Sequence, residues 1–150
     1  MRTVRDLMQT NVVTVRPDDN AAEVERRLVE HRIGGAPVVG DGRVQGVISR
    51  TDLLRNLVVG QSLSELISDY YRDPGLPVEA GIPAPDIEQL QRSRVRDLMP
   101  ERLITVEPSA PVSQAARVML DRMIHRLLVV EGEKLVGVVT THDLLRAIAE

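Results

Sequence analysis

The sequence GVISRTDLLR at residues 46–55 recurs as GVVTTHDLLR at residues 137–146, an offset of 91 positions. At this offset residues 1–59 and 92–150 share 18 identical positions without a gap. Unrelated sequences of ordinary composition would share about three or four. The chain is therefore predicted to hold two copies of one unit, at 1–59 and 92–150, joined by a linker or insert at 60–91.

Each copy has the same predicted order of elements, β-α-β-β-α, which indicates the mixed α/β (α+β) class. The segments are 12–15, 18–31, 36–40, 43–49 and 50–59 in the first copy, and 103–106, 109–123, 127–131, 134–140 and 141–149 in the second. Asp41-Gly42 and Gly132-Glu133 predict tight turns that make each strand pair a hairpin. One such unit buries little core, so we expect the copies to pack with pseudo-two-fold symmetry and an outer surface to form a homodimer.

The longer helix of each copy is predicted from capping residues and apolar spacing. Asp18 and Ser109 each follow a proline directly and are the expected N-caps. Apolar residues then recur at helical spacing and are expected to pack in the core. They are Ala21, Val24 and Leu28 in the first copy and Val112, Ala116, Met119 and Met123 in the second.

The linker differs in composition from both copies. Residues 62–72 look helical and contain both tyrosines of the chain, residues 73–85 are rich in proline and predict an irregular loop, and residues 86–94 predict a short helix. Two interpretations stay open: a spacer that lets the copies pack, or a lid or partner-binding insert.

Composition excludes several classes of protein. The chain has no Cys, which rules out disulfide scaffolds, thiolate zinc sites and cysteine nucleophiles. Its net charge of −3 and aromatic content of 1% argue against nucleic-acid binding, which uses basic surfaces and stacking platforms. No apolar run is long enough to span a membrane, and the N-terminus lacks the apolar region of a signal peptide. We therefore expect a cytoplasmic protein.

The repeated junction Gly-x-x-[Ser/Thr]-x-x-Asp lies where a strand ends and a helix begins, and two interpretations of it stay open. Ser49 with Asp52, and Thr140 with Asp143, have the spacing of a capping box, in which both side chains satisfy helix N–H groups. The same groups could bind a ligand, because a hydroxyl can bond a phosphate or sugar oxygen and a carboxylate can accept from the two hydroxyls of a ribose. The glycine would then let the ligand approach the strand backbone.

The duplicated unit, the Thr-Val-x-Pro segments, the Val-Val hairpin strands and the two Asp motifs together resemble a tandem cystathionine-β-synthase (CBS) domain pair, or Bateman module. The resemblance covers about 118 of 150 residues. It implies a cleft between the copies that holds an adenosine-containing ligand: AMP, ADP or ATP, or alternatively S-adenosylmethionine, NADH or cyclic di-AMP. It also implies a regulatory module that requires no cofactor and signals to a regulated protein by conformational change.

Carried over by position, the resemblance assigns nucleotide-binding residues from both copies. Asp52 and Asp143 would bind ribose hydroxyls, and Ser49 and Thr140 would assist at ribose or phosphate. The first site would hold Val47, Ser49, Thr51 and Asp52 with Ile104 and Thr105, and the second would hold Val138, Thr140, His142 and Asp143 with Val13 and Thr14. The apolar members would flank the adenine ring.

The copies differ where the resemblance places phosphate. The second copy has Ile124-His125-Arg126-Leu127, which resembles the phosphate-contacting His-Arg-Leu segment of the γ subunit of AMP-activated protein kinase. The first copy has two glycines, Gly34 and Gly35, at the positions of His125 and Arg126. This implies two unequal sites, with the phosphate site at Asp52, His125 and Arg126 and a roomier one at Asp143.

Other constellations favour structural roles. Arg5-Asp6 and Arg96-Asp97, inside the repeated VRDLM, are expected to form local ion pairs. The three histidines lack metal-ligand spacing and no nucleophile motif is present, so we expect neither a metal site nor an enzyme. The alternative to a ligand sensor is a dimerisation or interaction scaffold that works without ligand.

Overall fold

The computed structural model describes residues 2–55, 68–72, 87–100 and 102–150. The fold is α+β and divides into two compact units. Unit 1 comprises Met1–Val12, Tyr71–Leu76 and Leu103–Glu150, and unit 2 comprises Val13–Tyr70 and Pro77–Arg102. The VRDLM segment of each copy therefore belongs to the unit that holds the other copy's hairpin.

The described residues contain five strands and eight helices. The strands are β1 (Gly35–Gly40), β2 (Arg43–Ser49), β3 (Thr105–Val106), β4 (Arg126–Glu131) and β5 (Lys134–Thr140). The helices are α1 (Val4–Leu7), α2 (Ala21–Glu30), α3 (Arg50–Arg55), α4 (Asp69–Arg72), α5 (Ile87–Gln91), α6 (Val95–Leu98), α7 (Val112–Arg122) and α8 (Thr141–Ala149). Among these residues no helix has the length and apolarity that crossing a membrane requires.

Unit 2 is built on the antiparallel hairpin β1–β2. Its turn has Asp41 and Gly42 at φ 53° and 75°, the left-handed geometry that the Asp-Gly pair predicts. Val15 joins the hairpin through a single parallel bridge to Val38, so the predicted first strand is reduced to one residue here. The predicted stripe of α2 is confirmed, because Ala21, Val24 and Leu28 are fully buried.

Unit 1 repeats this plan with a longer sheet, in the order β3–β4–β5. β3 pairs in parallel with β4, which pairs antiparallel with β5 as predicted. The N-terminal segment of the chain extends the sheet, since Gln9 and Val138 exchange backbone hydrogen bonds of 2.8 and 2.9 Å. The two hairpins share a register shift at equivalent positions, Val38/Val39 and Val129/Val130, as a duplicated sequence predicts.

The predicted N-caps are wrong in both copies. α2 begins after Asn20, whose side chain accepts from the N–H groups of Ala22 and Glu23, while Asp18 instead pairs with Arg94 and Arg96. Pro111 precedes α7, and no side-chain cap hydrogen bond forms there, so Ser109 does not cap it. The first polar residue after the proline therefore does not mark the start of either helix. In the first copy this residue, Asp18, forms tertiary ion pairs instead.

Two further predictions about packing are corrected. Of the four apolar residues predicted to face the core from α7, only Met119 is buried, and Val112 and Ala116 are half-buried. Met123 is 83% exposed, because the helix ends there and Met123 adopts the left-handed conformation. The expected local ion pairs of VRDLM do not form among the described residues. Arg5 pairs with Glu131 instead, and Arg96 with Asp18.

The linker is described only in part. α4 (Asp69–Arg72) and α5 (Ile87–Gln91) agree with helix at the end of 62–72 and within 86–94. The predicted loop over 73–85 and the first part of the predicted helix lie outside the described residues.

Candidate functional site

The two Asp motifs end their hairpins in equivalent geometry. The Asp52 N–H donates to the Ser49 hydroxyl at 3.0 Å, and the Ser49 N–H donates to Asp52 Oδ2 at 2.9 Å. Thr140 and Asp143 make the same reciprocal pair at 3.2 and 2.9 Å, and the Thr140 hydroxyl also donates to Asp143 Oδ2. The capping-box interpretation is confirmed in both copies, and it fixes the direction of each carboxylate.

The motif glycines make room for the protein's own backbone. A Cβ on Gly137 would lie 2.8 Å from the Gln9 carbonyl oxygen, and one on Gly46 would lie 3.0 Å from Met99 Sδ and 3.3 Å from the Pro100 carbonyl oxygen. In each unit this neighbour is the end of VRDLM or the residue that follows it. The close approach that we assigned to a ligand is therefore made in each unit by another part of the chain.

Among the described residues, each carboxylate accepts from a donor that sequence reasoning missed. Asp52 accepts from the Ser68 hydroxyl at 2.5 Å, and both side chains are buried. Asp143 accepts from the Gln9 side-chain amide, at 3.2 Å to Oδ1 and 3.3 Å to Oδ2. Neither Ser68 nor Gln9 stands at a repeated residue type, so the internal repeat carried no signal for them.

The two units divide the predicted nucleotide-binding residues. Val13, Thr14, Val47, Ser49, Thr51 and Asp52 belong to unit 2, and Ile104, Thr105, His125, Arg126, Val138, Thr140, His142 and Asp143 belong to unit 1. Each unit thus holds one hairpin end with its capping hydroxyl and carboxylate, Ser49 and Asp52 in unit 2 and Thr140 and Asp143 in unit 1. Val47, Ile104 and Val138 are buried, whereas Thr105 and His142 are exposed.

The two side chains predicted to contact phosphate lie beside the second motif within unit 1. Arg126 pairs across the hairpin with Thr140, and the His125 Nδ1 atom is 3.2 Å from the Thr141 hydroxyl. The His125 N–H donates to the Tyr71 carbonyl oxygen at 2.8 Å, so the backbone at this position is held by the linker. Gly35, the first-copy counterpart of Arg126, pairs with Ser49 in the same register, so this strand position carries a glycine in the first copy and an arginine in the second.

A second surface feature lies on α7 and α8 of unit 1. Leu120, Met123, Leu145 and Ile148 are 79%, 83%, 58% and 82% exposed and line one groove. The equivalent position in unit 2 carries an ion pair instead, since Arg50 and Glu25, 2.6 Å apart, replace Thr141 and Ala116.

Comparison with known proteins establishes the class. The family model of the CBS domain matches twice, at residues 4–59 and 95–150. The chain belongs to the CBS-domain family and carries two copies of the domain.

Individual relatives match over almost the whole chain. Protein MJ1426 of Methanocaldococcus jannaschii is 30% identical over 97% of this chain and 90% of its own length. CBS domain-containing protein YhcV of Bacillus subtilis is 28% identical over 96% of this chain and 84% of its own length. Among solved structures, CBSX2 in complex with AMP is 28% identical, with a TM-score of 0.70, over 99% of this chain and 97% of that one.

Proposed function

We propose that the chain is a regulatory, non-catalytic module that binds adenosine-containing ligands of the AMP, ADP or ATP type through Asp52 and Asp143. The observation that carries the proposal is the pair of buried carboxylates, each fixed by its own capping box at a hairpin end. A carboxylate held in this way already has the orientation in which it accepts hydroxyl donors. The AMP complex of the 28% identical CBSX2 supports the choice of ligand.

The phosphate of such a ligand is assigned to His125 and Arg126. A guanidinium binds phosphate oxygens in a bidentate geometry, and the first copy has only glycines at these positions. Arg126→Ala is therefore expected to weaken binding of AMP, ADP and ATP by about tenfold, the cost of one charged hydrogen bond, and to leave binding of phosphate-free adenosine unchanged. Equal losses for AMP and adenosine would contradict the assignment.

Binding itself is tested by calorimetric titration and thermal shift with AMP, ADP, ATP, S-adenosylmethionine, NADH and cyclic di-AMP. A ligand at 100 times its dissociation constant should stabilise the fold by about 2.7 kcal/mol, or about 5–10 °C in Tm at this chain length. Asp52→Asn and Asp143→Asn should each remove one binding event. Asp6→Asn is the matched control, because Asp6 makes the same capping contact with Thr3 at the start of α1, where that contact is exposed.

The second candidate is a scaffold that dimerises without ligand, and the exposed apolar face of α7 and α8 favours it. Soluble monomers rarely expose a large apolar patch, and burying a Leu or Ile side chain contributes about 1.5–3 kcal/mol. A second copy of the same face would cover these exposed apolar side chains, so we propose a two-fold homodimer through this surface.

Light scattering after size exclusion tests the dimer. Leu120→Glu should give a monomer, while Val29→Glu, its first-copy equivalent on α2, should leave the dimer intact. A monomeric wild-type protein at tens of micromolar would contradict the interface. A dimer that shows no thermal shift with any adenosine ligand would favour the scaffold over the sensor.

A further inference from the structure

We propose that Ser68 is a residue of the Asp52 ligand site, where its hydroxyl holds the place of a ribose hydroxyl until the ligand displaces it. This inference rests on the proposed function, because it concerns the same carboxylate. It adds that the linker takes part in ligand binding as a competitor inside the chain.

The contact between Ser68 and Asp52 has the chemistry of ribose recognition. The Ser68 hydroxyl lies 2.5 Å from Asp52 Oδ2, and the two residues are 0% and 1% exposed. A hydroxyl that donates to a carboxylate at this distance is a strong, charge-assisted hydrogen bond. Asp52 Oδ2 also accepts from the Ser49 N–H at 2.9 Å, so both of its lone pairs are used, and a ribose hydroxyl could bind this oxygen only in place of Ser68.

Ser68 is held in this position by the start of α4. The Tyr70 N–H donates to the Ser68 hydroxyl oxygen at 3.2 Å, which leaves the hydroxyl proton for Asp52. The Tyr70 ring packs against β1 so closely that a Cβ on Gly35 would lie 2.8 Å from its Cδ1 atom. Movement of Ser68 away from Asp52 must therefore also move Tyr70.

The next residue, Tyr71, makes equivalent contacts within unit 1. Its hydroxyl accepts from the Ile104 N–H at 3.0 Å, and its carbonyl oxygen accepts from the His125 N–H at 2.8 Å. Ile104 and His125 were both assigned to the ligand from the sequence, as was Asp52. Residues 68–72 thus contact three proposed ligand residues, and a ligand that displaces Ser68 is expected to shift both tyrosines.

The second carboxylate has a weaker competitor. The Gln9 amide lies 3.2–3.3 Å from the Asp143 oxygens and this contact is only part-buried, whereas the Ser68 contact is 2.5 Å long and buried. It comes from the N-terminal segment rather than from the linker. The linker is therefore expected to respond to a ligand at Asp52 and not to one at Asp143.

The test is calorimetric titration of AMP in an Asp143→Asn background, which leaves Asp52 as the sole intact carboxylate of the pair. Ser68→Ala removes the competing donor and should tighten AMP binding by about tenfold or more, the range for a hydrogen bond to a charged group. Ser93→Ala is the matched control, because its hydroxyl donates to the Gln89 carbonyl oxygen in the same unit. The affinity of the Ser93→Ala variant for AMP should equal that of the Asp143→Asn protein without it.

A second measurement avoids dependence on one variant. Tyr70 and Tyr71 are the only tyrosines, and the chain has no Trp or Phe, so fluorotyrosine labelling gives two fluorine resonances that report on the linker alone. AMP should shift both resonances in the Asp143→Asn protein and neither in the Asp52→Asn protein.

The outcomes separate this inference from the proposed function. If Ser68→Ala leaves AMP affinity unchanged or weakens it, and AMP does not move the tyrosine resonances, the role of Ser68 is overturned. The proposed function would still stand, because AMP binds. Failure of both the wild type and Ser68→Ala to bind any adenosine ligand overturns the proposed function and this inference with it.

Discussion

The substitution Gly137→Ala tests whether the motif glycine serves the fold rather than a ligand. An added Cβ would lie 2.8 Å from the Gln9 carbonyl oxygen and 2.9 Å from Met8 Sδ, closer than side-chain carbons are found in proteins. The Gln9 backbone cannot move away easily, because it exchanges hydrogen bonds of 2.8 and 2.9 Å with Val138. The variant must strain this contact or open the strand pairing.

The expected magnitude follows from two opposing effects. Replacing glycine by alanine without a clash stabilises by about 0.4–1 kcal/mol, since the unfolded chain loses freedom. Overpacking a closed site costs about 1–3 kcal/mol. We therefore expect Gly137→Ala to lower the free energy of unfolding by about 1–2 kcal/mol, or about 2–8 °C in Tm at this chain length.

Gly46→Ala is the matched control in the same chain. Its Cβ would meet Met99 Sδ at 3.0 Å and the Pro100 carbonyl oxygen at 3.3 Å. The flexible end of a methionine can yield, so the change should be within about 0.5 kcal/mol of neutral. Thermal and urea unfolding of both variants provide the assay. Equal losses of stability in the two variants would refute the assignment of Gly137 to the fold. A fully stable Gly137→Ala protein that no longer binds AMP would refute it as well.

Two smaller predictions concern the ion pair between α2 and α3 and the cap of α8. Glu25→Ala should lower the free energy of unfolding by about 1.5–3 kcal/mol, because it leaves the largely buried Arg50 without this partner. Adding Arg50→Thr, which recreates the residues of the second copy, should reduce this loss in urea unfolding, and additive losses would contradict the prediction. Thr140→Ala should lower the free energy of unfolding by about 1 kcal/mol, because the hydroxyl that accepts from the Asp143 N–H is lost. Thr140→Ser keeps this hydroxyl and should be near neutral. Equal losses from the two variants would show that the methyl group, not the hydroxyl, matters.

The repeat made the local architecture predictable. Turn pairs such as Asp41-Gly42 fix hairpins because few residues accept positive φ, and the capping box follows from a hydroxyl and a carboxylate three residues apart. Membership of the CBS-domain family was predicted from the same repeated motifs. These features depend on neighbours within a few residues, which is the range that sequence patterns describe.

Features that depend on distant contacts were missed. No local pattern says that VRDLM of one copy joins the other copy's hairpin, since its own hairpin offers an equivalent sequence. Asp18 looked like a cap but is held by Arg94 and Arg96. Ser68 lies in the unrepeated linker, so comparison of the copies could not reveal its contact with Asp52.

The difference between the two carboxylates goes back to one position of the repeat. Gln9 and its counterpart Pro100 occupy the same place after VRDLM, but only Gln9 has a side-chain amide and a backbone N–H. Gln9 can therefore reach Asp143, while Asp52 receives its donor from the linker, which occurs once in the chain. The surroundings of the two carboxylates therefore differ both at a diverged position of the repeat and through the linker, which was not duplicated.

This origin of the asymmetry predicts how a phosphate-free ligand will bind. Adenosine lacks phosphate, so the order in which it fills the two sites depends on the donors that already hold each carboxylate. Because the Ser68 hydroxyl binds its carboxylate more tightly than the Gln9 amide does, adenosine should fill the Asp143 site first. Titration should then show high-affinity adenosine binding that Asp143→Asn removes and Asp52→Asn retains. Equal losses from the two variants would mean that the donors on the carboxylates do not set the order of binding.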